Sequence, residues 1–330
     1  VRVTPDLNLL NATLICPRDT LQRNPSIVFN SENHVVAWSD LNFNQTNYYI
    51  AAARVDTSGS VIDTGICITT GSGENENFPK IAYDGNRCLV IWEKSGGIDG
   101  RFINSNGQPE GSIFSVTTQS NGEPALAFDG VNYLVVWSSI VASDHFITGQ
   151  LVSTTGNPVG STFVIANDTT PLQLPDIVFD NTKYFVAWCQ SWASDPLVCG
   201  QFLDTNGGLI GGNFSISDEN TGFRREDPTV VASDSNYLVV WDEYRSSLTS
   251  DLYGNIDVVL QGIANKGTGD YINNEWDHMT VFSGSLQLPR TKNLKVFDIT
   301  GREIITNKIN PGIYFIQVDG KITHKVIKIK

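Results

Sequence analysis

Five stretches of this chain alternate in one way between apolar runs and short polar breaks. A proline opens each stretch, and an apolar run follows: SIVF, KIAY, ALAF, DIVF and TVVA. A polar break such as DGNR, DGVN or DNTK comes next, then a second apolar run ending in tryptophan: HVVAW, CLVIW, YLVVW, YFVAW and YLVVW. Proline and tryptophan are 13 residues apart every time, at Pro25/Trp38, Pro79/Trp92, Pro124/Trp137, Pro175/Trp188 and Pro228/Trp241. Runs of four to five apolar residues bounded by turn signals predict strands, and D-G predicts a tight hairpin. A third strand (AAARVD, DGRFIN, TGQLVS, CGQFLD, YGNIDV) and, in four units, a fourth (GICITT, SIFSVTT, TFVIAN, NFSIS) complete each copy. Glycine recurs seven residues after the small residue of the third strand, at Ala52/Gly59, Gly100/Gly107, Gly149/Gly156 and Gly200/Gly207.

Repetition at 45–54 residues marks one supersecondary unit copied several times. The fifth copy lacks a good outer strand, and NATLIC near the N-terminus supplies one, matching DTGICI before Pro79. The expected fold is therefore all-β: a five-bladed β-propeller over residues 1–265, with blades starting near 25, 79, 124, 175 and 228. Residues 10–20 are expected to complete the last blade, because closure removes exposed sheet edges. One tryptophan per blade reads as blade-to-blade packing, and Asp84, Asp129, Asp180 and Asp234 read as turn residues. Residues 266–283 read as a linker, and 284–330 as a small C-terminal β-sandwich domain.

Composition agrees with a globular chain of short strands: 330 residues, 40% hydrophobic, 17% charged, Gly 29 against Met 1. No apolar run approaches the roughly 20 residues of a membrane helix. The first residues, VRVTPDLNLL, lack the basic start and apolar stretch of a signal peptide, so the chain reads as a product whose export signal is absent. Net charge is −13, but residues 290–330 hold nine Lys/Arg against three Asp/Glu, leaving −19 for residues 1–289. An acidic body without a basic stripe argues against nucleic acid.

Five cysteines without a C-x-x-C and four scattered histidines (His34, His145, His278, His324) offer no metal-ligand spacing and no Ser/His/Asp or Cys/His arrangement. Cys189 and Cys199 fall on neighbouring strands of one hairpin and are the candidate disulfide. In a propeller, the links between blades and between second and third strands share one face. The residues before each innermost strand should ring the channel mouth there: Asn24, Asn77, Glu123, Leu174 and Asp227, with Arg23, Glu76 and Glu226 beside them. Asn24, Asn77, Glu123 and Asp227, with the loop aromatics Trp192 and Tyr244, are the candidate ligand-binding set. Carboxylates from different blades at one mouth could serve as acid and base of a glycosidase, the candidates being Glu123, Glu226 and Asp227. Glu76, Glu226 and Asp227 are the candidates for a Ca²⁺ site; no other cofactor is expected.

The C-terminal segment LKVFDITGREIITNKINPGIYFIQVDGKITHKVIKIK carries VFDITGR (296–302), NPGIYFIQV (310–318) and a Lys-rich terminal strand, in that order. It resembles the type A C-terminal sorting domain of proteins exported by the bacterial type IX secretion system. Asp298, Gly301, Arg302, Gly312 and Tyr314 match that motif. The resemblance implies recognition by the secretion machinery and a body on the outer cell surface or outside the cell. The Asn-Pro start usual in such domains is replaced by FSGSLQLPRTKN, which suits a retained module for anchoring or self-association, with a homo-oligomer as one outcome. The propeller repeat resembles generic secreted bacterial repeats of the D-G-x-x-Y-L-V-V-W type. The leading expectation is an exported non-enzymatic binding or structural protein, its loop face on a glycan or protein. The alternatives are a secreted glycosidase and a self-assembling surface filament or layer subunit.

Overall fold

The computed structural model describes residues 12–41, 47–69, 74–120, 122–191, 196–217, 222–233, 236–244, 250–256, 280–282, 294–298, 302–304, 312–318 and 321–328. All regular structure in them is β. The first blade is the antiparallel sheet β1 (Gln22–Phe29), β2 (His34–Leu41), β3 (Tyr48–Val55), β4 (Val61–Cys67). The second is β5 (Glu76–Tyr83), β6 (Cys88–Lys94), β7 (Gly97–Ile103), β8 (Pro109–Thr117). The third is β9 (Ala125–Phe128), β10 (Asn132–Val141), β11 (Asp144–Ser153), β12 (Pro158–Asp168). The fourth is β13 (Leu172–Phe179), β14 (Tyr184–Gln190), β15 (Leu197–Leu203), β16 (Leu209–Ser215). The fifth has three described strands, β17 (Arg224–Ala232), β18 (Tyr237–Tyr244) and β19 (Asp251–Ile256). The arrangement is the expected five-bladed propeller.

The tryptophans do what their spacing predicts. Trp92 packs among Val35, Ala37, Ile50, Ala52 and Ile68 of the first blade, and Trp137 among Leu89, Ile91 and Phe102 of the second. Trp188 and Trp241 repeat this against the third and fourth blades. Removing rings of this size from water on both sides of every joint is the main hydrophobic stabilisation of a propeller. Trp38 has no preceding blade in the sequence, and Ile15 and Cys16 cover it instead. Cys16 thus meets Trp38 as Ile68, Ile165 and Ile216 of the outer strand ends meet Trp92, Trp188 and Trp241. The N-terminal segment takes the packing role expected of the missing outer strand. Among the described residues it adds no fourth strand, since residues 12–20 carry no strand pairing. Residues 10 and 11 lie outside them.

The repeated aspartate turns have a second use. Asp84, Asp129 and Asp180 each accept hydrogen bonds from the backbone N–H groups two and three residues on, closing the hairpin. The Tyr237 hydroxyl also donates to Asp180 of the preceding blade. Tyr184 lies against Asp129, and Tyr133 approaches Asp84 without completing a bond. Tyrosine at the start of the second strand therefore latches blade to blade. The third-strand glycine is required by space: a Cβ at Gly149 would lie 2.8 Å from the Phe163 ring.

Two expectations need correction. Prolines 25, 79, 175 and 228 sit inside the inner strands, not at their starts. Each marks a bulge, where a missing N–H is tolerated. The residue before each takes a left-handed backbone, with φ of 54° at Asn24, 52° at Phe78, 56° at Leu174 and 50° at Asp227. The Cys189–Cys199 disulfide does not form: the register pairs Trp188 with Cys199 and Cys189 with Val198. One residue of offset sends the two thiols to opposite faces, Cys199 toward the third blade and Cys189 toward the fifth.

The tail strands β20 (Thr280–Phe282), β21 (Leu294–Asp298), β22 (Glu303–Ile304), β23 (Gly312–Val318) and β24 (Lys321–Lys328) form one sheet, ordered β20-β24-β23-β21-β22. β20 pairs in parallel with β24 from inside the segment read as a linker. Val296 and Tyr314 are buried.

Candidate active site

The bulges set the mouth of the channel. An extra residue rotates the strand, so the residue after the proline follows a kinked backbone: Ser26, Lys80, Asp176 and Thr229 in four blades. The third blade starts its strand later, at Ala125, and Glu123 stands before Pro124. Lys80, Glu123, Asp176 and Asp227 come from four different blades; the Lys80 charge reaches all three carboxyls, and the Asp227 charge reaches Glu123.

Burial raises the Glu123 carboxyl first, and the Asp227 charge raises it further, with Lys80 opposing and Glu93 adding. Burial also raises Asp227, helped by Glu226 and Asp242 and again opposed by Lys80. Asp176 lies deep in the ring yet keeps partial access to solvent, and burial raises it against the pull of Lys80. Its Oδ2 accepts a 2.8 Å hydrogen bond from the Val230 N–H of the fifth blade, which fixes it across the joint. Glu93, beside Trp92, is raised by burial alone. Around these groups the Asn24 Oδ1, Ser39 Oγ and Ser138 Oγ are buried without a protein partner. Unpaired polar atoms of this kind suit a hydroxyl-rich ligand.

The candidate residues divide clearly. Glu123 and Asp227 stand at the mouth, near enough for the Asp227 charge to raise Glu123. Asn24 lies in the first inner strand, and Asn77 accepts a 2.8 Å bond from Arg23, tying the first two blades at the rim. Glu226 is turned to Arg224 on its own strand. Glu76 is buried inside the second blade, where Thr69 donates to it. Glu76, Glu226 and Asp227 are therefore not brought together as a cation site, and the described residues contain no group of three or more His, Cys, Asp or Glu able to hold a metal. Tyr244 packs under the Arg224 guanidinium, 5.1 Å from ring centre, and is not an open stacking platform. Trp192 and Gly301 lie outside the described residues. Asp298 ends β21 opposite Tyr314 of β23.

Lys80 and Glu93 escaped the candidate set. Lys80 reads as the polar edge of KIAY, and only its place after the proline, shared with Asp176, marks it. Glu93 is equivalent to Asp242, each directly following its tryptophan.

No protein-family model and no curated protein sequence matches this chain. Solved structures do. A GH43 endo-arabinanase from Bacillus licheniformis is 15% identical over 73% of this chain and 95% of its own, with TM-score 0.44. An exo-β-1,3-galactanase from Phanerochaete chrysosporium is 12% identical over 77% of this chain and 63% of its own, TM-score 0.47. An α-L-arabinofuranosidase from Podospora anserina, in complex with cellotriose, is 9% identical over 74% and 94%, TM-score 0.47. At these identities the likeness is one of fold. The expectation of a non-enzymatic binding or structural protein is corrected here: the structures this chain is similar to are glycoside hydrolases, the class of the alternative expectation.

Proposed function

We propose that this chain is a secreted glycoside hydrolase acting on a polysaccharide at the propeller mouth. The observation that carries the reading is that Glu123 and Asp227, from non-adjacent blades, share the mouth with Lys80, whose charge reaches both. Asp227 is the more exposed of the pair, which suits it to the charged role. Burial, with that charge added, favours the protonated form of Glu123. Glu123 then protonates the glycosidic oxygen as the bond to the anomeric carbon breaks. Asp227 takes a proton from the water whose oxygen forms the new bond. Lys80 limits how far the cluster's affinity for protons rises, and Asp176 holds the fourth and fifth blades in register beneath it. Such acid–base assistance is worth about 10²–10⁴ in rate.

The test is hydrolysis of arabinan, aryl α-L-arabinofuranosides and β-1,3-galactan, the substrate types in the names of the similar structures. Release of reducing sugar by the native chain and its loss in Glu123→Gln supports the reading. Turnover that survives both Glu123→Gln and Asp227→Asn removes it.

We infer also that residues 284–330 direct export through the type IX secretion machinery and place the enzyme outside the cell, where polysaccharide is met. The order of the motif from Asp298 to Tyr314, and the buried place of Tyr314 in the terminal sheet, support this. Fusing 284–330 to a periplasmic reporter in a type IX-competent host should move it to the surface or medium; retention in the periplasm would sink the idea.

A further inference from the structure

On the rim that carries the carboxylates, a cavity of about 170 Å³ opens between the third and fourth blades. Its apolar lining comes from Leu172, Trp188, Leu197 and Phe214, and Trp188 is buried at 2% exposure. Its polar lining includes Asp168, Gln190 and Asn213. Two of these are held in place: the Thr170 hydroxyl donates to Asp168 Oδ1 at 2.8 Å and accepts from Gln190 Nε2 at 3.0 Å. Asn213 is exposed and free to turn toward an occupant.

A concave site with an apolar lining and a few fixed donors and acceptors selects a small molecule having both kinds of surface. A sugar ring has them: C–H groups on its faces and hydroxyls around its edge. The carboxylate of Asp168 disfavours an anionic unit and accepts well from a hydroxyl. Leu172 opens the strand whose Leu174 stands at the mouth, two residues on, which separates cavity and mouth by about 7 Å along the chain. A short oligosaccharide spans that.

We propose that this cavity is a subsite for one neutral sugar unit of the polysaccharide, distinct from the mouth where the bond is cut. The assignment rests on the reading of the chain as polysaccharide-active, and its test separates the two. In the full chain carrying Glu123→Gln, L-arabinose, D-xylose and D-galactose are titrated while the Trp188 indole N–H resonance is followed by NMR. At least one sugar should move that resonance saturably. Asn213→Ala should weaken the binding at least threefold, and Ser215→Phe, whose ring fills the cavity, should abolish it. Should Ser215→Phe fail to fold, Asn213→Ala decides alone. A Trp188 signal indifferent to all three sugars, or unchanged affinity in Asn213→Ala, overturns the subsite even if the enzyme is active. Saturable binding in a chain with no hydrolytic activity keeps the subsite and removes the catalytic reading.

Discussion

The two rims of the ring use the same kind of side chain to opposite ends. On the turn rim, Asp84, Asp129 and Asp180 accept backbone N–H bonds, and Asp180 adds Thr182, Lys183 and Tyr237. Burial pushes the Asp180 carboxyl up, but those hydrogen bonds outweigh it and hold the group well below the ordinary range. On the loop rim, Lys80 pulls on Glu123, Asp176 and Asp227 and the Val230 N–H donates to Asp176, but burial outweighs this support and all three are raised. A carboxylate whose lone pairs are filled by the fold is committed to stability. One left short of partners keeps its proton available for chemistry.

That contrast can be broken at either rim. The largest effect belongs to Glu123→Gln and Asp227→Asn, each expected to lower kcat on polysaccharide by about 10²–10⁴ while leaving the fold intact by circular dichroism. A turn-rim substitution, Asp180→Ala, should instead cost about 2 kcal/mol of stability by chemical denaturation. The Asp180 contribution is present above the unfolded carboxylate pKa and is lost as pH falls through the depressed folded value. Lys80→Met should move the alkaline limb of the rate profile upward, because removing the cation raises Glu123, which works protonated. Asp176→Asn should raise the melting temperature at neutral pH while lowering activity. A carboxyl raised on folding destabilises the native state as pH rises from the unfolded pKa through the folded one, and the amide oxygen still accepts from Val230. The smallest effect is for the thiols: the denaturation midpoint should be the same with and without reductant, since Cys189 and Cys199 face apart.

Much of the ring was legible because Pro25 to Trp241 repeat one spacing set by packing and turn chemistry. Each D-G turn, strand pair and tryptophan follows from local rules that act alike in every copy. The mouth was harder to read. Period-two counting along an inner strand assumes no extra residue, and the bulge after Arg23, Asn77, Gln173 and Glu226 breaks that count. Glu76 and Glu226, two residues and one residue before the left-handed position, consequently looked like mouth residues although their partners are Thr69 and Arg224. Lys80 was hidden within an apolar strand for the same reason. The disulfide failed on a single step of register. The grouping of Lys80, Glu123 and Asp227 was not legible, because groups about 40 to 150 residues apart in sequence have no local signature.

The left-handed residue before the proline has a wider consequence. Asn24, Phe78, Leu174 and Asp227 share one backbone shape despite unrelated side chains. The scaffold thus offers equivalent sockets around one axis, each tolerant of what fills it. Chemistry at the hub can be rewritten one sector at a time, by exchange at positions 26, 80 and 229, while position 176 also ties the fourth blade to the fifth.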